Sequence, residues 1–236
     1  MQTIIISLGG SIIVPDDIDA GFLKGFKKLI LRKTKSTKRV KSTKSSENKR
    51  FIIITGGGKT ARKYQKAASE ISGLHPEDID WIGIHATRLN AHLLRTIFRG
   101  YAYPAIIKNP NKKISTTKKI MIAAGWKPGC STDYDAVLLA RNFGVKTIIN
   151  LSNIEKVYTK DPNKYPDARP IDKISWQDFR KIVGDRWDPG LNTPFDPVAS
   201  KIAEQLRLKV IIAKGTNLKN LEKIIEGKRF VGTTIV

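Results

Sequence analysis

Cysteine is almost missing from this chain: Cys130 is the only one in 236 residues. An intrachain disulfide is therefore excluded, which fits a reducing compartment. Histidine is scarce too, with only His75, His85 and His92. Long apolar runs are also lacking. The longest are strand-sized, far short of the roughly 20 residues that cross a bilayer as a helix. No internal repeat of solenoid period is visible. Met1-Gln2-Thr3 leads straight into an apolar run, so no targeting leader is expected and a cytoplasmic location is. Acidic residues are few, 21 against 43 lysines and arginines, which leaves a net charge of +22. That excess suits anionic small substrates as well as anionic polymers.

Part of the charge is concentrated. Residues 32–50 read RKTKSTKRVKSTKSSENKR, nine cations opposed only by Glu47. The stretch is of low complexity and has almost nothing to bury. We read 33–50 as a solvated basic loop inside the first βαβ unit. No aromatic residue interleaves the charges to stack on bases. The alternative is a nucleic-acid patch.

What is present is a recurring order of apolar strand and amphipathic helix. Strands are expected at 3–8, 51–55, 104–107, 119–124, 146–151, 209–213 and 230–235. Helices are expected at 18–32, 60–72, 87–99, 133–143, 175–184, 197–206 and 218–226. Ile18, Phe22, Phe26, Leu29 and Ile30 fall on one helical face, as do Leu89, Leu93, Leu94, Ile97 and Phe98. Asp196 precedes Pro197 as an N-cap precedes a first-turn proline. Continuous apolar strands in β-then-α order predict an α/β protein with a mainly parallel sheet covered on both faces. With no dividing linker, residues 1–236 read as a single domain.

Two strands run into glycine turns, Gly9-Gly10-Ser11 and Gly56-Gly57-Gly58-Lys59-Thr60. Glycine lets backbone N–H groups face an anion without a Cβ in the way, and a following helix adds its own unpaired donors. Two such turns suggest two phosphates and hence phosphoryl transfer. Lys59 and Arg62 stand in the first turn of the second helix, where cations oppose the dipole unless an anion lies between. The spacing is not that of a P-loop. Two further loops carry polar residues. In Gly125-Trp126-Lys127-Pro128-Gly129-Cys130-Ser131-Thr132-Asp133, the last three residues can cap a helix or line an anion site, with Asp133 orienting a cation. In Asn153 to Pro162, Tyr158 either stacks on a base or packs on the domain. Trp81 and Trp187 read as packing residues.

Taken together, Gly9-Gly10-Ser11, GGGK-x-AR at 56–62, Thr87-Arg88-Leu89-Asn90-Ala91, PG-x-S-TD at 128–133, N-I-x-x-VY-x-x-DP at 153–162 and DP-x-A-x-K at 196–201 resemble the archaeal-type UMP kinases of the amino acid kinase superfamily. The resemblance spans essentially the whole chain. It implies a three-layer α/β/α sandwich with a mainly parallel central sheet, the amino acid kinase fold. Residues from about 1–145 would form the acceptor lobe, and about 146–236 the ATP lobe. It implies Mg2+ carried mainly by ATP phosphates, phosphorylation of UMP to UDP in pyrimidine biosynthesis, and a homohexamer built from dimers. Gly10, Ser11, Gly58, Arg62, Ser152, Asn153, Tyr158 and Asp161 would hold ATP. Gly57, Asp80, Trp126, Lys127, Pro128, Gly129, Cys130, Ser131 and Thr132 would hold UMP. Lys59, Arg62, Asp133 and Lys201 would be catalytic, with Asp133 orienting a cation. The histidines read as structural or surface residues, because this chemistry needs no proton shuttle.

Three departures from the family pattern stand out. Ser7 occupies a position where many superfamily members carry lysine. Ala124 replaces the first of two glycines, and Lys156 replaces a glycine. Another acceptor on the same scaffold, such as isopentenyl phosphate, and a weakly active nucleic-acid-binding protein are the alternatives.

Overall fold

The computed structural model describes residues 1–35, 48–186 and 193–236. Most of the basic stretch, and Trp187, lie outside the described residues. Among these, eight strands form one sheet in the order β3-β4-β2-β1-β5-β9-β10-β8. They are β1 (Gln2–Leu8), β2 (Lys49–Thr55), β3 (Ala102–Ile107), β4 (Ile120–Ala123), β5 (Thr147–Ser152), β8 (Lys173–Ile174), β9 (Lys209–Lys214) and β10 (Thr233–Ile235). From β3 through β9 every neighbouring pair is parallel. β10 runs antiparallel to β9 and parallel to β8, so that edge of the sheet is reversed. β6 (Val157–Tyr158) and β7 (Pro170–Ile171) form a separate antiparallel pair.

Strand residues alternate between two cores. Ile4, Ile6 and Leu8 of β1, Phe51 and Ile53 of β2, and Ile149 and Leu151 of β5 face one layer. That layer includes α1 (Gly10–Ile13), α2 (Ala20–Thr34), α4 (Pro76–Ile97) and α8 (Leu218–Ile225). Ile5, Ile52, Ile54 and Ile148 face the other, with α5 (Thr132–Phe143), α6 (Trp176–Val183) and α7 (Pro197–Gln205). This is the three-layer α/β/α sandwich that the resemblance implies, with the sheet covered on both faces as the apolar runs predict. α3 (Gly58–Ile71) buries only Ala61 and packs on α4.

Several expectations change. The helix expected at 87–99 begins at Pro76, with Pro at N1 and Glu77 and Asp78 in the first turn. Ile18 is outside α2 and 56% exposed, because Asp19 caps that helix by accepting from the Phe22 N–H. Leu89 is 63% exposed and does not share the buried face of Leu94. The strand expected at 230–235 contracts to Thr233–Ile235. The Asp196 cap is as read, with its carboxylate accepting from the Ala199 N–H at 2.7 Å.

The parallel register puts the C-terminal ends of β1, β2, β4, β5 and β9 at one edge of the sheet. β1 is followed in sequence by β2 on one side and is flanked by β5 on the other. Ligands in open α/β sheets gather at such a reversal.

Candidate active site

The two glycine turns touch. A Cβ on Gly10 would lie 2.2 Å from the Gly58 nitrogen and 2.6 Å from the Gly56 carbonyl oxygen. A Cβ on Gly58 would lie 2.2 Å from the Gly10 carbonyl carbon, and Gly58 has a left-handed φ of 61°. No side chain fits between these backbones. The Gly9 N–H donates to Leu151 O and the Gly56 N–H to Leu8 O, both at 2.9 Å. Each turn is thereby tied to the neighbouring strand end. Gly57 is the N-cap of α3, and no side chain caps that helix start. Its first N–H groups are available to an anion.

One helix holds both the second glycine turn and the loop after β4. On α4, the Asn90 side-chain amide donates to Gly56 O at 2.8 Å and Gly57 O at 3.4 Å. Thr87 accepts from the Gly125 N–H at 2.8 Å and donates to Ile84 O. The Arg88 guanidinium donates to Trp126 O at 2.9 Å. Asp80 accepts from the Gly129 N–H at 2.8 Å. Residues 87 and 88 lie about two turns beyond residue 80 on this helix. The Thr-Arg-Leu-Asn run is thus a set of loop anchors. At the far end of the loop, Ser131 caps α5 by accepting from the Tyr134 N–H.

Between the ends of β1 and β5 sits Asp133. It accepts from the Ser7 hydroxyl at 3.2 Å, from the Asn150 amide at 3.1 Å and from the Asp196 N–H at 3.3 Å. Its residue surface is only partly covered, but these neighbours enclose the carboxylate. Burial pushes its pKa up to about 7, nearby Asp196 pushes the same way, and the hydrogen bonds from Asp196 and Ser7 oppose it. Asp135 also rises to about 7 through burial, against the Trp126 N–H and the charge of Arg88. Burial lifts the half-buried Cys130 thiol to about 11, which leaves it a poor nucleophile.

The residue pattern of an amino acid kinase model matches residues 2–214. The chain belongs to the amino acid kinase family. A uridylate kinase of Thermoplasma volcanium is 37% identical, over 99% of this chain and 97% of its own. One of Pyrococcus abyssi is 33% identical, over 98% of both. The crystal structure of uridylate kinase from Archaeoglobus fulgidus is 30% identical, with a TM-score of 0.79 and full coverage of both chains.

Within this amino acid kinase fold the expected residues fall into groups. Gly10, Ser11, Gly57 and Gly58 meet at the paired turns. Lys59 pairs with Asp16 at the mouth of α3, and Arg62 is exposed one turn further on. The Lys127 ammonium lies 4.5 Å from the centre of the Trp126 ring. Pro128, Cys130 and Thr132 complete that loop. Ser152 ends β5, and its hydroxyl accepts from the Ile154 N–H. Asn153 is exposed, and Tyr158 pairs with Pro170 across β6 and β7. Asp161 accepts from both the backbone and the side chain of Asn163. Lys201 is exposed on α7, the helix whose N-cap Asp196 touches Asp133.

Among the described residues the hydrogen-bond partners of Asp133 are a hydroxyl, an amide and a backbone N–H, and the hydroxyl comes from Ser7, the position where many superfamily members carry lysine. The other two departures are absorbed. Ala124 is buried without strain, since the close approach falls on Gly125, whose added Cβ would lie 2.9 Å from the Thr87 hydroxyl. Among the described residues Arg207 alone is a non-glycine with left-handed φ, so Lys156 needs no glycine, and its amine pairs with Asp172. Asn90 stands in the Thr87–Ala91 motif but was given no role, and Asn150 and Asp135 were not anticipated as site residues. The sequence signal of Asn150 and Asp135 is polarity at positions where strand or helix periodicity expects burial.

Proposed function

We propose that this chain transfers the γ-phosphoryl group of ATP to UMP, giving UDP and ADP for pyrimidine nucleotide synthesis. The observation that carries this reading is the backbone contact between the two glycine turns. It brings the two glycine-rich strand ends together at the sheet edge, which supports two adjoining phosphate sites. The relatives named uridylate kinase, aligned over nearly the whole chain, supply the identity of the acceptor.

A UMP phosphate oxygen attacks the γ-phosphorus in line, and the bond to the ADP oxygen breaks. The acceptor is already ionised, so the site needs to position groups and neutralise charge rather than remove a proton. In this reading Gly10 and Ser11 face the donor phosphates. Ser152, Asn153, Tyr158 and Asp161 hold the adenine nucleotide. Gly57, Asp80 and residues 126–132 hold UMP. Gly58 and Arg62 lie between the phosphates. Lys59 and Lys201 supply positive charge, with Lys59 leaving Asp16 when a stronger anion arrives. The lobe up to about residue 145 is then the acceptor side and the remainder the donor side.

Mg2+ supplies further neutralisation when bound. Both Asp133 oxygens are engaged by Ser7, Asn150 and Asp196, which suits an ion carried by the nucleotide phosphates. Asp133 then orders the ends of β1 and β5 rather than a cation.

Self-association, with a homohexamer built as a trimer of dimers as the specific form, is part of the same proposal. It is supported by an exposed apolar cleft of about 410 Å3 between α3 and α4, lined by Tyr64, Trp81, Ile82 and Leu89. A cytoplasmic location accompanies it.

The test is ADP release measured with UMP, CMP and isopentenyl phosphate as acceptors. UMP is expected to give the highest kcat/KM. Turnover of either other acceptor above UMP overturns the assignment.

A further inference from the structure

Beneath the loop after β4 lies a pair of charged residues that the transfer itself does not use. Asp135 on α5 is 1% exposed, and Arg88 on α4 is half-buried. They do not form a direct ion pair. Instead they take the two polar atoms of one peptide unit. The Trp126 N–H donates to Asp135 at 3.0 Å, and the Trp126 carbonyl accepts from Arg88 at 2.9 Å. Each then keeps a buried polar atom without a hydrogen-bond partner, Nε of Arg88 and Oδ1 of Asp135.

That arrangement is expensive as a source of stability. Desolvating two charges is offset only when they are well paired and fully hydrogen-bonded, and apolar residues would fill the space at less cost. What the pair gains is a fixed orientation for one peptide, gripped from two helices. The adjoining contacts point the same way. Thr87 fixes Gly125, Asp80 fixes Gly129, and Asn90 fixes the second glycine turn, all from α4. The loop is therefore set relative to the glycine turn through a single rigid helix. The Trp126 side chain, with Lys127 across its ring, is left at the loop surface.

We propose that Arg88 and Asp135 are positioning residues that lock the Trp126 peptide and so hold the acceptor loop in its binding shape. This rests on the assignment of residues 126–132 to the acceptor. The pair acts on how well the acceptor is held, and the side-chain hydrogen bonds of both residues go to Trp126 of the acceptor loop.

The experiment compares Arg88→Met, Asp135→Leu and Asp135→Asn with the unaltered chain. Steady-state kinetics are run with UMP varied at saturating ATP, and the reverse. Hydrogen exchange is followed in the peptide covering 124–131. Arg88→Met and Asp135→Leu each delete one grip. Each is expected to raise KM for UMP about tenfold, the size of one lost charge-assisted hydrogen bond. KM for ATP should stay within about twofold, and exchange in 124–131 should speed up. Asp135→Asn keeps an oxygen facing the Trp126 N–H and should restore both readouts. Unchanged KM for UMP in folded Arg88→Met and Asp135→Leu overturns the proposal. So does an equal rise in both KM values, which marks general loosening. Should leucine at 135 prevent folding, Arg88→Met on the half-buried helix face decides by the same criteria. If the unaltered chain prefers another acceptor, the UMP assignment falls, and the KM comparison is made with that acceptor.

Discussion

A methyl group at position 10 has nowhere to go. The atoms it would meet, Gly58 N and Gly56 O, belong to backbone and cannot swing aside. Gly10→Ala is expected to destabilise the chain by about 3 kcal/mol or more through overpacking. It should also abolish turnover at temperatures where the variant is still folded. A melting curve and rate matching the unaltered chain would contradict the contact. Asp135 makes a different prediction. Its folded pKa is about 7 against an ordinary 3.8. Between those values the folded state holds a proton that the unfolded chain has lost. Stability from this group is therefore full below about pH 4 and lost as pH rises through about 7. Asp135→Asn removes the titration. Relative to the unaltered chain, the variant should gain on the order of 2–4 kcal/mol from acid to mildly alkaline pH. Urea unfolding of both proteins at several pH values measures this difference, and a constant offset would contradict it.

At the scale of elements, α4 matters most. Its buried polar face carries Thr87 and Asn90, each 5% exposed or less, and both face loops rather than solvent. Asn90→Ala leaves the Gly56 carbonyl without its side-chain donor and is expected to cost about 1–3 kcal/mol by denaturant titration. Turnover should fall further than the same loss of stability elsewhere would explain. This helix also marks where the sequence was readable and where it was not. Long apolar strands such as Ile4–Leu8 and Phe51–Ile54 announce themselves, because burial on both faces leaves little room for polar residues, Ser7 being the exception. The order of strand and helix then implies a parallel sheet. The first half of α4 is obscured by Asp78, Asp80 and Gly83, which break the apolar stripe. β6, β7 and β8 have two residues each, too few for any period to show. The glycine turns were visible as phosphate candidates, but their mutual contact is a tertiary fact. So are the grips of Arg88 and Asp135 on Trp126. They join residues 38 and 9 positions from the tryptophan, and no local pattern encodes that pairing.

Across the whole molecule, the described apolar surface is uneven. Tyr64 is 69% exposed, Leu89 63% and Trp81 36%, all lining one cleft on α3 and α4. A cluster of that kind is unusual on a monomer's surface. If it joins copies of the chain, Leu89→Lys should shift sedimentation toward a smaller species while leaving the melting of the isolated fold nearly unchanged. An unchanged sedimentation coefficient would remove this face from the assembly. Elsewhere the fold is tied by charge: Arg32 and Lys33 of α2 pair with Glu222 and Glu226 at α8, joining two parts of the chain distant in sequence. The abutting glycine turns have a consequence at this scale as well. Their spacing is a dimension of peptide atoms alone, like a gauge block clamped between two jaws. Side chains that make no contact with the two turns can be exchanged without changing the gap. With the two turns holding the donor and acceptor phosphates and the loop after β4 holding the acceptor, as proposed, a loop rebuilt for a different acceptor would inherit the same phosphate-to-phosphate distance, so substrate choice and transfer geometry could vary independently on this scaffold.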